Sequence, residues 1–295
     1  AEEFGQIYVP SVNWALFVAT AALVVGFGSS NGLAAAYGVA VSATMVITTV
    51  LAFFVMRHRW RWSAPIAAAV TVFFLAVDMV FLASNLFKVL AGGWLPLAVG
   101  ALAMILMTTW RRGRALQLKR LRERSVTIQQ FIKALALDMP RRIPGTAVFL
   151  CAPGFNVPGG LLHHLKLNTV LHEQVLLLTA VTEQVPRVPA ANRFEVRELG
   201  HGFYRVLARY GFMQSPNLPV AVLLSRDFKL LPPTGSDVIV YYVDHATLVP
   251  IRRKNVLPMW QKRLYAFMYR NSLRAAEYYH LPPGNSVELG IQLEL

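Results

Sequence analysis

Long apolar runs dominate the first 110 residues of the chain. Residues 12–28, 33–56, 64–86 and 92–110 contain almost no charge, and about 20 apolar residues are enough to cross some 30 Å of hydrocarbon. Buried helices of a soluble protein would show a polar stripe at helical period, whereas residues 17–25 and 44–56 are apolar all round. The pattern therefore predicts four transmembrane helices within residues 1–110.

Positive charges concentrate in alternate connections between these runs. The middle loop contains Arg57, Arg59 and Arg61, and Arg111 and Arg112 follow the fourth run directly, whereas the other two loops carry one positive charge between them. Loops rich in Lys and Arg remain on the cytoplasmic side of a membrane. We therefore expect a multi-pass protein of the cytoplasmic (inner) membrane, with the middle loop and the C-terminal part in the cytoplasm.

One acidic residue, Asp78, lies inside a predicted span. A carboxylate in the membrane must pair, protonate or face water, so such a residue is a candidate for carrying protons or cations. Sealing a helix bundle through hydrogen bonds is the structural alternative. Helical spacing offers Ser84 or Asn85 as partners, and a helix outside this chain is a third option.

The second run is crowded with small residues. Alanine, glycine and serine fill much of residues 34–43, and such positions allow helix backbones to approach closely in lipid. A packing face is one interpretation. The other is a helix that lines a pathway, in which Asn31, Tyr37 and Thr44 supply oxygen atoms.

Residues 111–140 form a basic connector between the apolar part and the rest of the chain. We expect a helix over 116–136 that either lies along the membrane surface with its cations near anionic head groups or packs on the following domain. Lys and Arg total 29 against 15 Asp and Glu, which gives a net charge of +14. Binding to nucleic acid is not needed to explain this excess, because cytoplasmic loops of membrane proteins are basic.

Residues 141–295 read as an α/β domain, which the orientation places in the cytosol. Short β-favouring runs at 146–150 and 174–182 flank a helical pattern at 161–167, which predicts a β-α-β unit. Further strands are predicted at 194–199, 203–208, 238–243 and 287–293, and an amphipathic helix at 256–273.

The C-terminal part carries no motif that indicates an enzyme, a cofactor or a metal site. The glycines at 159 and 160 are not followed by the Gly-Lys-Ser/Thr of a phosphate-binding loop. His163, His164, His172 and Glu173 lack metal-ligand spacing, and one cysteine, Cys151, cannot complete a zinc cluster or form an intrachain disulfide.

Several segments resemble the KUP/HAK/KT family of potassium uptake permeases, and its bacterial Kup-type members most. They are QIYVP with VNW at 6–14, LAAAYGVAV at 33–41, the stretch from Asp78 through Asn85 to GGWLPL at 92–97, TTW at 108–110, RIPGTAV at 142–148, NTVLHE at 168–173 and VELG at 287–290. These motifs occur in the family's order over nearly the whole chain.

The resemblance implies uptake of potassium ions by symport with protons, without a cofactor. It also implies the inverted-repeat fold of the amino acid–polyamine–organocation superfamily, with these four spans as the last of about twelve and a cytosolic C-terminal domain. The ion-binding helices of the family lie mainly upstream, so the chain alone is not expected to transport. An amino acid or other solute permease, a membrane-tethered regulatory binding module and a homodimer remain open alternatives.

Overall fold

The computed structural model describes residues 8–123, 126–152, 156–227, 231, 236–251 and 257–294. They belong to two compact units, Tyr8–Thr108 and Thr109–Leu295. The first two residues of the QIYVP motif, Gln6 and Ile7, lie outside the described residues.

The first unit consists of apolar helices, as the sequence predicts. They are α1 (Pro10–Phe27), α2 (Ser30–His58), α3 (Ala64–Leu86), a π-helical turn (Val89–Gly93) and the beginning of α4 (Trp94–Glu123). The described part of the chain contains four helices that are long and apolar enough to cross a membrane, the fourth counted from Val89. The prediction of four spans is confirmed at this level.

Local signals set the ends of these helices. Gly28 adopts a left-handed conformation with φ of 57° and ends α1, which a residue without a Cβ does at little cost. The Ser29 side chain then accepts a hydrogen bond from the Gly32 amide at 3.4 Å and caps α2. Gly92, with φ of 137°, interrupts the regular helix before α4.

The connector differs from its prediction. The helix α4 continues through Arg111 and Arg112 as far as Glu123, because Arg, Leu, Gln and Lys are good helix formers and outweigh the single glycine of this stretch, Gly113. A separate helix α5 (Ile128–Leu137) follows, and the Thr127 hydroxyl caps it by accepting from the Gln130 amide at 3.4 Å. A single helix over 116–136 was therefore the wrong prediction.

A six-stranded mixed sheet organises the second unit. Its order is β3-β4-β2-β1-β5-β6, and every neighbouring pair is parallel except β3 and β4. The strands are β1 (Arg141–Leu150), β2 (Val170–Glu183), β3 (Phe194–Gly200), β4 (Phe203–Gly211), β5 (Ile239–Val249) and β6 (Ser286–Glu294). All six predicted strands and the parallel β-α-β unit, with α6 (Gly159–Asn168) as its helix, are confirmed.

Helices cover both faces of the sheet. Val148 and Leu176 point to one face, where α7 (Leu218–Asp227) packs, whereas Phe149 and Leu177 point to the other, where α5 and α6 pack. Parallel strands that are buried on both faces read as continuous apolar runs, which explains the uninterrupted apolar stretches of β1 and β2.

Three helical features were missed or shifted. The helix α7 was not predicted from the sequence. Its Pro219 lies in the first helical turn, where proline is tolerated. The amphipathic helix predicted over 256–273 is observed as α8 (Met259–Arg270), with residue 256 outside the described residues, and a short α9 (Ala275–Tyr278) follows.

Candidate functional site

The polar residues of α3 face α2 across an antiparallel helix pair. Thr49 Oγ1 donates a hydrogen bond of 2.5 Å to Asp78 Oδ2, and Asn85 Nδ2 donates one of 2.8 Å to Ser42 Oγ. The two residues on each helix are seven positions apart, about two helical turns. Both bonds therefore lie on one helix–helix contact, which we call the α2–α3 polar seam (Ser42, Thr49, Asp78 and Asn85).

The small residues of α2 allow this close approach. A Cβ at Gly38 would lie 2.6 Å from Asn85 Oδ1, and the Ser42 hydroxyl donates back to the Gly38 carbonyl at 2.5 Å. Nearby, a Cβ at Gly92 would lie 2.7 Å from the Gly32 carbonyl oxygen. Part of the small-residue run of α2 is thus a packing face, which was one of the two interpretations of its sequence.

Two of the partners suggested for Asp78, Ser84 and Asn85, bond to other groups, so these two suggestions are wrong. Ser84 donates to the Phe81 carbonyl at 2.8 Å, and the Asn85 amide bonds to Ser42 and Phe81. Two helical turns separate Asn85 from Asp78 by roughly 10 Å, so the two can share a face without touching. The actual partner, Thr49, comes from the neighbouring span, and seven-residue spacing on both helices was the signal that could have found it.

Tyr37 and Asn31 do not join the seam. Tyr37 is 71% exposed on the side of α2 that also bears Thr44 and Thr48, seven and eleven positions further on. The two threonine hydroxyls donate to the carbonyls of Ala40 and Thr44 at 2.9 and 2.8 Å, which leaves their oxygen lone pairs free to accept. Asn31 is exposed in the first turn of α2. Of the four candidates, Asp78 and Asn85 therefore each bond to a residue of α2, whereas Tyr37 and Asn31 are exposed.

A buried contact joins α8 to the C-terminal part of α4. Tyr265 is fully buried, and its hydroxyl donates a 2.6 Å hydrogen bond to Gln117 Oε1, which also accepts from Arg114 at 3.2 Å. The ring lies directly against Gly113, where a Cβ would overlap it, and its centroid is 5.5 Å from that of Trp110. Burial raises the pKa of Tyr265 to about 12, so the hydroxyl remains a donor.

The sheet has a topological switch point at β1, since the chain moves to β2 on one side and later to β5 on the other. Ligands of such sheets commonly bind there. Here the Asp244 carboxylate accepts from the Gly160 amide at 2.9 Å and from the Gly159 amide, and burial raises the pKa of Asp244. The chain's own carboxylate thus occupies the start of α6, the position where a phosphate would bind.

Two buried histidines flank Tyr242. The ring centroids of His164 and His172 lie 4.9 and 6.3 Å from that of Tyr242, and burial lowers the pKa of both imidazoles. His164 Nε2 and His172 Nδ1 have no hydrogen-bond partner among the described residues. No group of three His, Cys, Asp or Glu side chains in the described ranges is placed to hold a metal ion.

Two family models match the chain in succession. One is described as the K+ potassium transporter integral membrane domain and matches residues 1–115. The other is described as the K+ potassium transporter C-terminal domain and matches residues 144–295. No solved structure matches the chain.

Curated relatives match over the full length of the chain. It is 50% identical over 295 residues to the "Probable potassium transport system protein Kup 1" of Geobacter sulfurreducens, 46% of which is covered. It is 49% identical to the Kup protein of Nitrosomonas eutropha, again with 46% covered, and 44% identical to that of Myxococcus xanthus, with 45% covered.

The chain thus spans slightly less than half the length of these relatives. The two family models account for the span-forming unit and for the sheet domain in the order in which the structure has them. The chain belongs to the K+ potassium transporter family.

Proposed function

We propose that this protein takes part in the uptake of potassium ions across the cytoplasmic membrane, by symport with protons. The observation that carries the proposal is the match to proteins named as potassium transport systems, at 42–50% identity over all or nearly all of the chain. A whole-chain match includes the spans in which an ion pathway would lie.

The exposed hydroxyl side of α2 supports an ion pathway on this helix. Potassium is bound in channels by oxygen atoms that replace its hydration shell, and Tyr37, Thr44 and Thr48 present such oxygens along one side of a span. Asn31 adds an amide oxygen at the start of the helix. We propose that this side faces the ion, whereas the opposite side packs on α3.

Asp78 is the acid that we propose for the proton-linked step. A carboxyl group inside a span is a functional candidate. One of its oxygens can accept the hydrogen bond from Thr49 both when the group is ionised and when the other oxygen carries a proton. Asn85 would hold the same helix pair in register through Ser42.

The basic residues beyond the fourth span support a cytoplasmic C-terminal domain. Arg111, Arg112, Arg114, Lys119 and Arg122 are exposed on α4, and anionic head groups attract such residues. We propose that the three nearest the span, Arg111, Arg112 and Arg114, rest against the inner leaflet. The four spans would act together with further spans, so we expect no transport from this chain alone.

A chimera tests the proposal. The upstream half of the Geobacter sulfurreducens relative would be joined to this chain and expressed in cells that lack potassium uptake. We expect growth at low potassium and uptake of rubidium, which is lost with Tyr37→Phe and retained with the control Tyr8→Phe. The chain alone should give neither.

Other outcomes would contradict the proposal. Rescue only by an amino acid supplement would indicate a solute permease of the same superfamily. Function that survives exchange of all four spans would indicate a membrane-tethered binding module. Rubidium uptake that does not depend on external pH would remove the proton from the mechanism.

A further inference from the structure

The outward side of α8 combines aromatic residues with arginines. Trp260 and Phe267 are 53% and 58% exposed, and Arg263 and Arg270 are exposed beside them. These positions are spaced by three, four and three residues, which places them on one side of a helix. We call them the α8 outer face (Trp260, Arg263, Phe267 and Arg270).

The inner side of the same helix is already occupied. Gln261, Lys262, Tyr265 and Ala266 are buried, with Tyr265 held by Gln117 and Gly113 of α4. The two large aromatic residues of the outer face are therefore not needed for the fold of this unit, and exposed aromatic patches rimmed by polar residues mark interaction sites.

The position of α8 along α4 indicates what the outer face meets. Trp110 ends the fourth apolar run and Arg111 follows it, within one uninterrupted helix. Tyr265 contacts α4 between Trp110 and Gln117, which at 1.5 Å per residue lies no more than roughly 10 Å beyond the end of the apolar run. The head-group layer is about 5–8 Å thick on each side of the hydrocarbon. The contacts of the Tyr265 ring with Trp110 and Gly113 lie within roughly 5 Å of the end of the apolar run, and therefore at the depth of this layer.

We propose that the α8 outer face binds the membrane surface, with Trp260 and Phe267 inserted among lipid head groups and Arg263 and Arg270 paired with anionic phosphates. Tryptophan is enriched at this depth, and helices that lie in the interface carry aromatic residues beside Arg or Lys. Leu273 and Arg274, both exposed just beyond α8, extend the same chemistry.

A partner protein fits the outer face less well, because docking would have to desolvate two arginines flanking the aromatic rings and would need acidic partners for them. Lipid phosphates supply the negative charge without removing the arginines from water. The inference rests on the membrane assignment of the spans and does not depend on the transported ion, so it can fail while the proposed function holds.

Spin labels at chosen depths test this proposal. In a Cys151→Ala background, the complete protein would carry a nitroxide at Phe267→Cys and be reconstituted in vesicles of phosphatidylcholine with or without phosphatidylglycerol. Glu198→Cys, exposed on β3, is the matched control. Collisions of the label with oxygen, which enters lipid, are compared with those of a nickel complex, which remains in water.

We expect the oxygen-to-nickel ratio at Phe267→Cys to exceed that at Glu198→Cys in anionic vesicles and to fall in zwitterionic ones. Each cation near an anionic surface contributes about 1 kcal/mol. The double variant Arg263→Gln with Arg270→Gln should therefore reduce the ratio of membrane-bound to unbound α8 outer face about 30-fold. Equal ratios at both labels in anionic vesicles would overturn the proposal. A label protected from both reagents, regardless of lipid, would also overturn it, since it would indicate protein contact.

Discussion

The Tyr265 hydroxyl and the Gln117 side-chain carbonyl meet at 2.6 Å in a fully buried contact between α8 and α4. Gln117 lies on the same uninterrupted helix as the fourth apolar run. Any movement of this end of α4 therefore acts directly on the helix that carries the α8 outer face.

The hydrogen bond itself can be tested by mutation. Tyr265→Phe should lower the free energy of unfolding of the second unit by about 1 kcal/mol, the usual net value of a buried hydrogen bond. Thermal unfolding in detergent measures the loss. A double-mutant cycle with Gln117→Met should show coupling, whereas strictly additive losses would mean that the two groups do not interact.

Gly113 leaves room for the Tyr265 ring. Gly113→Ala places a methyl group into that ring, and overpacking of this kind costs about 1–3 kcal/mol, more than the roughly 1 kcal/mol gained in helix propensity. We expect a lower melting temperature of the second unit. The control is Gly290→Ala on β6 of the same unit, where a Cβ meets no described atom within 4 Å. A decrease of equal size in the control would contradict the explanation.

The α2–α3 polar seam predicts unequal effects for two adjacent threonines. Thr49→Val removes the donor to Asp78 and should destabilise the helix pair by about 0.6–1.7 kcal/mol, the range of interhelical hydrogen bonds in a membrane protein. Thr48→Val removes only a bond to the carbonyl of its own helix. The yield of folded protein after mild heating should fall for the first variant and not for the second; equal yields would exclude a structural role for the bond.

Asp78→Asn separates structure from transport. The amide oxygen of asparagine can still accept from Thr49, so folding should be retained while proton-linked uptake by the chimera falls. Rubidium uptake at two external pH values, normalised to the amount of folded protein, measures this effect. Unchanged uptake would make the acid incidental to transport.

The two buried histidines predict a dependence of stability on pH. Burial lowers the pKa of His164, and burial with repulsion from His164 lowers that of His172, from an ordinary value of 6.5. As pH falls, the unfolded chain therefore binds protons at a higher pH than the folded chain does. The free energy of unfolding has its full value above pH 6.5 and decreases as pH falls below 6.5.

The slope measures this effect. Each histidine lowers the free energy of unfolding by at most about 1.4 kcal/mol per pH unit. The double variant His164→Gln with His172→Gln should therefore reduce the dependence of this free energy on pH between pH 6.5 and 5. Chemical denaturation of the second unit at several pH values measures it. A slope that survives both substitutions would assign the dependence to other groups.

The periodicity of the sequence was sufficient to predict the helices and strands. It was insufficient to predict which side chains of different elements contact one another. Apolar runs as long as a bilayer is thick can form only helices in lipid, because every backbone group must be satisfied within the segment, and strands buried on both faces leave apolar runs between glycine and proline signals. The four spans and six strands follow from this constraint. The break at Thr127 was missed because cap signals are short and compete with a continuous basic pattern.

The amino-acid sequence alone therefore determined which segments enter lipid, which segments form the sheet, and to which family the chain belongs. These properties depend on composition and on the order of residues within each segment. Only the tertiary structure decided that Asp78 bonds to Thr49, that Asp244 occupies the start of α6, and that Tyr265 and Gln117 meet 148 positions apart. Such contacts depend on the register in which packed elements meet. That register is set by the close packing of many side chains at once. No local sequence pattern predicts it.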